Sequence, residues 1–380
     1  MKRTIACMTA TRADYPRVKS VLQEISIRKN LELKLLVTGM HLLKEFGYTV
    51  REIEKDGFDI ADRIEMYLWD DSPYGMAKAA ARCADGIADT LKNIKPDILL
   101  LTVDRIETLA AAQSSAYMNI PIAHIQGGEV TGTIDESIRH AVTKLAHIHF
   151  PATPDAAERI IKMGESPANV FTVGCPYIDI IRTTEYRSKE DLALAYNLNS
   201  ERPVVLFIQH PVTTEYGEGA KQIKITIEAL KRFTDIQIIA IYSNADAGGR
   251  EIIEIMKNTP HFHVFPNIAS EDFLSLMKHS ALIIGNSSAG IREAPSFHIP
   301  SVNIGSRQNG RLRASNVIDV QHDADAIAQA IRKALYDEEF KNKVSRVNNP
   351  YGDGFSAKRI VDILERIDLS EKLLQKMIMY

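Results

Sequence analysis

The sequence has little net charge, few cysteines and no long apolar run. Its 380 residues carry a formal net charge of -3, without a basic or acidic block, which argues against nucleic-acid binding as the main activity. The three cysteines, Cys7, Cys83 and Cys175, form no CxxC motif, so we expect buried thiols and a cytoplasmic protein. No run of about 18 apolar residues is present, so no membrane association is expected.

The apolar residues form two series of short strands that alternate with amphipathic helical stretches. Single cores stop growing near about 250–300 residues, so a chain of this length is expected to form two domains. Fully apolar strands between helices are typical of buried parallel sheets. The predicted strands are 3–9, 32–38, 97–103, 121–126, 147–152 and 170–174, followed by 203–209, 236–243, 262–266, 281–285 and 300–304.

This pattern predicts an α/β fold of two doubly wound Rossmann-like domains with a cleft between them. The N-terminal domain is expected to span residues 1–175, and the C-terminal domain residues 203–355. The polar stretch between them lacks strand character. Residues 356–380 are predicted to form a C-terminal helix that packs back across the junction. The N-terminal residues read as a first strand rather than a signal peptide.

In open parallel sheets ligands bind beyond the carboxyl ends of the strands, so the residues that follow each strand are the candidate site. In the first series these include Arg12, His41 and the Asp104–Arg105 pair. Arg12 at a helix start is able to hold a phosphate, although a surface arginine beside a capped helix is an equal alternative. His41 and Asp104 are also compatible with ordinary helix capping.

The segment 123–150 is the most unusual stretch after a strand. Gln126 ends the strand, two glycines and Glu129 follow, and Asp135 or Glu136 opens a helix. Carboxylates that converge from neighbouring loops shift one another's pKa values and can divide into an acid and a base. His140, His147 and His149 lie later in the same segment, but we expect no metal site, because they are spread over a helix and a strand.

The second series ends in residues suited to a nucleoside diphosphate. Small hydroxyl residues between a strand and a helix offer free N–H groups to phosphate, and a glutamate in the following helix could accept two ribose hydroxyls. No GxGxxG fingerprint of a dinucleotide site is present. The candidates at these strand ends are His210, Asn244, Ser287, Ser288, Glu293 and Arg307.

Four long motifs resemble the UDP-N-acetylglucosamine 2-epimerases, in particular their hydrolysing branch. They are "DRIETLAAA", "HIQGGEVTGTIDESIRHAVTKLAHIHF", "HPVTTE" and "GNSSAGIREAPSFHIPSVNIGSRQNGR". The resemblance covers roughly residues 1–355 and implies the glycosyltransferase-B-type fold, usually in a homodimer or homotetramer. It also implies that UDP-GlcNAc is the ligand and that the reaction needs no cofactor and no metal.

The resemblance implies a specific reaction and specific residues. A base removes the sugar C2 proton while UDP leaves C1, and water then adds to the 2-acetamidoglucal to release N-acetylmannosamine for sialic-acid-type sugars. Asp104 and Asp135 stand at the family's acid/base positions, and His41 at a sugar-side position. The positions where the family binds UDP are Arg12, Arg105, His210, Asn244, Ser287, Ser288, Glu293 and Arg307.

The sequence departs from the family pattern at two positions. Gln126 stands where better-known members have a third glutamate, and Val103 where many have glycine. One interpretation of Gln126 is that a water or a neighbouring acid, Glu129 or Asp135, transfers the missing proton. A second is a different substrate, such as a 2,4-diacetamido sugar on UDP or GDP. Weak catalysis, or a nucleotide-sugar sensor without turnover, are the remaining alternatives.

Overall fold

The computed structural model describes residues 2–68, 70 and 72–380 of the chain. The chain folds into two compact units. The first contains Met1–Glu129, Ile134–Arg182 and Tyr351–Tyr380, and the second contains Val130–Thr133 and Thr183–Pro350. These bounds differ from those expected from the sequence, since the first unit includes residues 176–182 and also residues 351–355.

The first unit is built on a six-stranded parallel sheet in the order β3-β2-β1-β4-β5-β6. Both faces of its central strands are buried, which explains their continuous apolar runs. Its strands are β1 Arg3–Thr9, β2 Leu31–Thr38, β3 Ile60–Ile64, β4 Ile98–Thr102, β5 Ile122–Ile125 and β6 Ile148–Phe150. Its first seven helices are α1 Tyr15–Ile27, α2 Val50–Lys55, α3 Pro73–Ile94, α4 Ile106–Tyr117, α5 Asp135–Leu145, α6 Pro154–Lys162 and α7 Pro176–Thr183.

The second unit repeats this topology with the strand order β12-β11-β10-β7-β8-β9. Its strands are β7 Val204–Ile208, β8 Gln237–Ile241, β9 Phe262–Phe265, β10 Leu282–Gly285, β11 Ser301–Ile304 and β12 Val317–Val320. Its helices are α8 Lys189–Tyr196, α9 Gly219–Leu230, α10 Gly249–Lys257, α11 Ser270–His279, α12 Ala289–Arg292, α13 Ala324–Tyr336 and α14 Glu338–Val344. In each sheet the strand order reverses next to the first strand, and ligand sites form at such points.

The C-terminal residues belong to the first unit and form two helices, α15 Ser356–Arg366 and α16 Glu371–Leu374, rather than the single helix that the sequence predicts. The Asp179 carboxylate accepts hydrogen bonds from the backbone N–H groups of Ser356 and Ala357, at 3.0 and 2.7 Å, and so fixes the start of α15. Helix α15 then packs its apolar face against α1.

The last residues are fastened to the end of α5 by Lys376. Its ammonium group donates to the carbonyl oxygens of Lys144 and Ala146, at 2.7 and 2.5 Å, and lies 2.7 Å from Glu165 Oε2. A cation at the carboxyl end of a helix satisfies carbonyl groups that lack partners within the helix.

The predicted fold class is confirmed, with differences at the sheet edges. Strands β3 and β12 were not predicted, because edge strands are short and carry charged side chains, as in "IADRI" and "VIDV". Residues 170–174 form only an isolated bridge, between Val170 and His149, instead of a strand. No helix within the described residues is long and apolar enough to cross a bilayer.

Candidate functional site

Two non-glycine residues in the left-handed region mark the ends of β4 and β5. Val103 has φ +61° and Gln126 has φ +64°. Their backbone N–H groups still bond to the neighbouring strands, Val103 to Ile125 over 3.2 Å and Gln126 to Phe150 over 2.9 Å. A β-branched residue in this region is an outlier that marks a turn held under strain. The next residue, Asp104, is therefore placed by a sharply turned backbone.

The carboxylate of Asp104 forms an ion pair with Arg139 on α5. Arg139 is fully buried, and its Nη1 also donates to Glu136 Oε2 and to the Glu129 carbonyl, each over 2.8 Å. Burial alone would lower the pKa of Arg139, but the charges of Asp104, Glu129 and Glu136 raise it above its ordinary value. The structure thus brings the predicted carboxylates Asp104 and Glu129 together around one permanent positive charge.

Arg139 was not assigned a role from the sequence, although its spacing contained a clue. It lies three residues after Glu136 and four after Asp135, and such residues share one face of a helix. Its pairing with Asp104, by contrast, joins side chains 35 positions apart and requires the folded structure. Asp135 itself begins α5 and is half-buried.

His124, on β5, is a neutral histidine that supports the Asp104 turn. Its Nε2 lies 2.9 Å from the Val103 carbonyl oxygen, which can only accept, so this nitrogen carries the proton. Burial lowers the pKa of His124 to about 4, and the hydrogen bond to Val103 opposes the shift without overcoming it. The ring is therefore uncharged at neutral pH.

The side chain of Gln126 is buried between Arg17 and Cys175. Its Oε1 accepts from Arg17 Nη1 over 3.4 Å, and its Nε2 donates to Cys175 Sγ over 2.7 Å. An amide is neither an effective acid nor an effective base at neutral pH, so Gln126 is suited to holding its neighbours rather than to acid/base chemistry. Arg17 was not singled out from the sequence, and Cys175 was expected only to be a buried thiol.

Gly127 and Gly128 let the chain pass close to its neighbours before Glu129. Gly128 has φ +76°, and a Cβ atom there would clash with the backbone of Ala156. Glu129, which follows, is buried, with only 5% of its surface exposed. The close passage of the chain at these glycines therefore leads into a buried carboxylate.

Arg105 is buried beside Glu107, with its Nε 3.4 Å from Glu107 Oε2. Glu107 is fully buried on the first turn of α4, and it accepts a hydrogen bond from the Tyr67 hydroxyl over 3.0 Å. The same carboxylate lies beside Gly39, at the end of β2, where a Cβ atom would approach Oε1 to 2.9 Å. Glu107 thus holds Arg105 at the sheet edge, a role that the sequence did not reveal.

His41 is placed differently from Arg12, although both follow central strands. His41 is fully buried, and its two ring nitrogens lie 2.7 Å from Thr49 Oγ1 and 3.1 Å from Thr9 Oγ1. Its predicted contact with a sugar stays a prediction. Arg12 is half-buried; burial lowers its pKa to about 10, which still leaves it charged at neutral pH, and Glu52 opposes the shift.

In the second unit a hydrogen-bond network around Asn286 joins the ends of β7, β8 and β10. Asn286 Oδ1 accepts from the His210 backbone N–H over 2.7 Å, and its Nδ2 donates to the His210 carbonyl over 2.9 Å. His210 Nδ1 in turn accepts from the Asn244 backbone N–H over 3.1 Å. The imidazole is therefore fixed, with its Nδ1 occupied as an acceptor and Nε2 carrying the proton in the neutral form.

The residues after β10 form a turn followed by a very short helix. Ser287 and Ser288 are half-buried, and the Ser287 hydroxyl accepts from the Ala289 N–H over 3.3 Å. Helix α12 has only four residues, so the expected helix dipole is small, and the attraction of an anion here depends on individual N–H groups. Glu293, directly after this helix, is fully buried.

The loop after β11 brings Arg307 to the same carbonyl oxygen that Gln308 contacts. Arg307 Nη1 and Gln308 Nε2 donate to the Asn286 carbonyl over 3.3 and 2.8 Å. The structure thus assembles His210, Asn244 and Arg307 around Asn286. Among the described residues, no three or more histidine, cysteine, aspartate and glutamate side chains form a group that could hold a metal ion.

Comparisons with known proteins agree in both sequence and fold. The family model described as UDP-N-acetylglucosamine 2-epimerase matches residues 23–365. A Legionella pneumophila protein named UDP-N,N'-diacetylbacillosamine 2-epimerase (hydrolyzing) is 38% identical over 99% of this chain and 99% of its own. A Neisseria meningitidis protein named UDP-N-acetylglucosamine 2-epimerase is 35% identical over 96% of this chain and 100% of its own.

A solved structure also resembles the chain. It is a UDP-GlcNAc 2-epimerase from Neisseria meningitidis bound to UDP-GlcNAc, with a TM-score of 0.81, 21% sequence identity, and coverage of 95% of this chain and 99% of that one. At this identity the likeness shows the fold alone, which is the glycosyltransferase-B-type arrangement of two doubly wound sheets.

Proposed function

Because this chain belongs to the UDP-N-acetylglucosamine 2-epimerase family, we propose that it is a hydrolysing 2-epimerase of a UDP-linked 2-acetamido sugar. In this reaction a base takes the C2 proton while the C1–O bond to UDP breaks, which forms a 2-acetamidoglucal. Water then adds at C1 and a proton returns to C2 on the opposite face. The products are UDP and the free sugar with inverted configuration at C2.

The observation that best supports this proposal is the group of carboxylates around Arg139. Removing a weakly acidic C2 proton needs a positioned base, and returning one to the other face needs a second group. Asp104, held ionised by Arg139, is suited to accept a proton, and Asp135 at the start of α5 is the candidate for the opposite transfer. Glu129 and Glu136 are the other carboxylates whose charges act on Arg139.

The residues of the second unit are proposed to bind UDP. Arg307 and the fixed His210 offer donors for the diphosphate, and the charge of Arg307 would stabilise UDP as it leaves C1. Ser287 and Ser288 add hydroxyl and N–H donors, and buried Glu293 is suited to accept the ribose hydroxyls. The proposed contacts of Asn244, Arg12 and Arg105 with UDP, and of His41 with the sugar, rest on the family resemblance.

Gln126 is proposed to be a positioning residue in this chemistry. Its amide is held on one side by Arg17 and on the other by Cys175, which supports the interpretation that the missing proton transfer belongs to Glu129, Asp135 or a water. The three cysteines are buried and none forms a disulfide within the described residues, which supports a proposed location in the reducing cytoplasm.

Two sugars are candidates for the substrate. The relative at 38% identity is named for UDP-N,N'-diacetylbacillosamine, which supports a 2,4-diacetamido sugar and a product of the legionaminic-acid type. The relative at 35% identity is named for UDP-GlcNAc, which supports N-acetylmannosamine as the product, for sialic-acid-type sugars. We rank the diacetamido sugar first, since the relative named for it is the more similar of the two.

The test is to incubate the protein with each nucleotide sugar separately and to follow products by proton NMR. The proposal predicts UDP and a free C2-inverted sugar from at least one substrate, with a higher kcat/KM for the diacetamido sugar. UDP-N-acetylmannosamine as the product would assign the chain to the non-hydrolysing branch. UDP binding by calorimetry without turnover of either sugar would contradict the proposal and favour a nucleotide-sugar sensor.

The assembly proposed from the resemblance is a homodimer or homotetramer. Light scattering coupled to size-exclusion chromatography measures this directly, since the monomer mass is 42.4 kDa. A mass of one chain across the micromolar range would contradict it.

A further inference from the structure

Arg139 is a buried arginine that donates to two carboxylates, those of Asp104 and Glu136, and to the Glu129 carbonyl oxygen. Only 1% of its side chain is exposed, whereas Asp104 and Glu136 expose 18% and 31% of theirs. The guanidinium therefore lies beneath the two carboxylates, with the carboxylates between it and solvent. A planar group with several fixed donors orients two carboxylates at once, whereas the ammonium group of a lysine imposes no such fixed geometry.

The electrostatic surroundings of Arg139 are dominated by negative charge. Asp104, Glu129 and Glu136 face it, and His140, whose Nε2 lies 2.9 Å from Glu136 Oε1, is bonded to the far side of Glu136. The neutral ring of His124 lies near both Arg139 and Asp104. One buried cation thus serves three carboxylates, and without it like charges would favour protonation of at least one of them.

We propose that Arg139 is a positioning residue that orients Asp104 and keeps it ionised for the proton transfer at C2. The proposal rests on the proposed function, because Asp104 is the base only if the chain is a 2-epimerase. In this role Arg139 acts on the reaction through Asp104 rather than by contact with the sugar. The Val103 turn places the Asp104 backbone from one side, and Arg139 fixes the carboxylate from the other.

The first experiment compares Arg139→Lys and Arg139→Gln with the unaltered protein. Arg139→Gln removes the charge, so we expect kcat to fall by about 100-fold or more, within the range for loss of a positioned base. We also expect the acidic limb of the pH–rate profile to move to higher pH by about one unit, because Asp104 then titrates among uncompensated carboxylates. Arg139→Lys keeps the charge but not the fork, so kcat should fall less and the acidic limb should stay in place.

The second measurement separates positioning from a purely structural role. UDP affinity by calorimetry should be the same in both variants, because most of the proposed UDP-binding residues belong to the second unit, whereas Arg139 bonds to Asp104, Glu129 and Glu136. If Arg139→Gln does not fold, Glu136→Gln replaces it; that variant leaves Arg139 with one carboxylate fewer to neutralise and should move the acidic limb to lower pH. Arg63→Gln changes an exposed arginine of the first unit that pairs with Glu54, so it is the matched control and should leave the profile unchanged.

The outcomes distinguish this inference from the proposed function. If the unaltered protein turns over neither nucleotide sugar, the proposed function fails before any variant is compared. If the unaltered protein is active and Arg139→Gln keeps its kcat and its pH profile, the role of Arg139 is refuted while the proposed function stands. If kcat falls in both Arg139 variants while the acidic limb stays where it is in the unaltered protein, the role of Arg139 is also refuted, since that pattern indicates a general loss of structure.

Discussion

The Nε2–H group of His124 donates a hydrogen bond to the carbonyl oxygen of Val103 over 2.9 Å, and this bond joins the middle of β5 to the strained turn before Asp104. Val103 is held at φ +61°, a conformation that a β-branched residue seldom adopts. The backbone that presents Asp104 is therefore kept in place by a buried neutral histidine.

The strain at Val103 predicts that glycine gives a more stable protein than alanine at this position, the reverse of their usual order. Val103→Ala and Val103→Gly both lose the buried side chain, so the difference between their stabilities isolates the effect of the backbone conformation. Alanine at positive φ costs about 1 kcal/mol or more, whereas glycine adopts it freely. We expect Val103→Gly to be more stable than Val103→Ala by about 1 kcal/mol in denaturant unfolding, and the opposite order would contradict the strained turn.

The buried histidines predict a loss of stability at mildly acidic pH. Burial, aided by the charge of Lys376, lowers the pKa of His147 to about 4, and His124 has a similar value. Below about pH 6.5 these histidines therefore bind protons in the unfolded chain but not in the folded chain. The free energy of unfolding thus falls as pH decreases towards 4. Each unit of pKa shift lowers the free energy of unfolding by about 1.4 kcal/mol per group once the pH lies below both pKa values.

The matched variants for this effect are His147→Gln and His298→Gln. A glutamine at 147 can still accept the hydrogen bond that His147 Nδ1 receives from the Ile122 N–H over 3.1 Å, but it does not titrate. We expect a smaller decrease in unfolding free energy between pH 7 and 5 for His147→Gln, and the original decrease for the exposed His298→Gln. Glu165 does not contribute to this decrease. Burial would raise its pKa, but hydrogen bonds from His149, Lys144 and Lys376 lower it to about 2. Protonation of Glu165 therefore reduces the free energy of unfolding only below about pH 4.5.

Arg307→Ala should weaken UDP binding by about 10-fold or more, because a charge-assisted bond to phosphate is lost. Isothermal titration with UDP measures this without any need for turnover. Arg332→Ala is the control, since Arg332 is exposed on α13 and lies over the Phe233 ring. An unchanged dissociation constant in Arg307→Ala would refute the assigned role of Arg307.

Gln126→Glu tests whether the glutamine limits the reaction. A carboxylate at this position would pair with Arg17, which lies 3.4 Å from the present Oε1, so we expect a folded protein. The pairing would keep the carboxylate ionised and turned towards Arg17, so kcat should be equal to or below that of the unaltered protein. A rise in kcat would mean that Gln126 occupies the place of a missing acid.

The sequence predicted the strands and the strand-end residues where a simple physical rule applied. Central strands such as β4 are buried on both faces and read as apolar runs, whereas β3 and β12 lie at edges and do not. The positions of Asp104 and His210 followed from the rule that sites form at carboxyl ends. The two C-terminal helices were joined in the prediction because their break at residues 367–370 has no proline or glycine.

The contacts between side chains could not be predicted in the same way. The pairings of Arg139 with Asp104 and of Gln126 with Cys175 join positions 35 and 49 residues apart, and nothing in the local sequence specifies them. His41 shows the reverse case, because its position after β2 suggested a site residue, while the fold buries it between Thr9 and Thr49.

The most direct test of the account is to carry out the reaction in D2O with UDP-N,N'-diacetylbacillosamine and UDP-GlcNAc and to examine the products by NMR. Proton removal at C2 predicts equal amounts of UDP and a free sugar that has inverted C2 configuration and deuterium at C2, with formation slowed strongly in Asp104→Asn. A free sugar that keeps its original configuration and its C2 proton would be simple hydrolysis and would contradict the account, as would intact nucleotide sugar after long incubation.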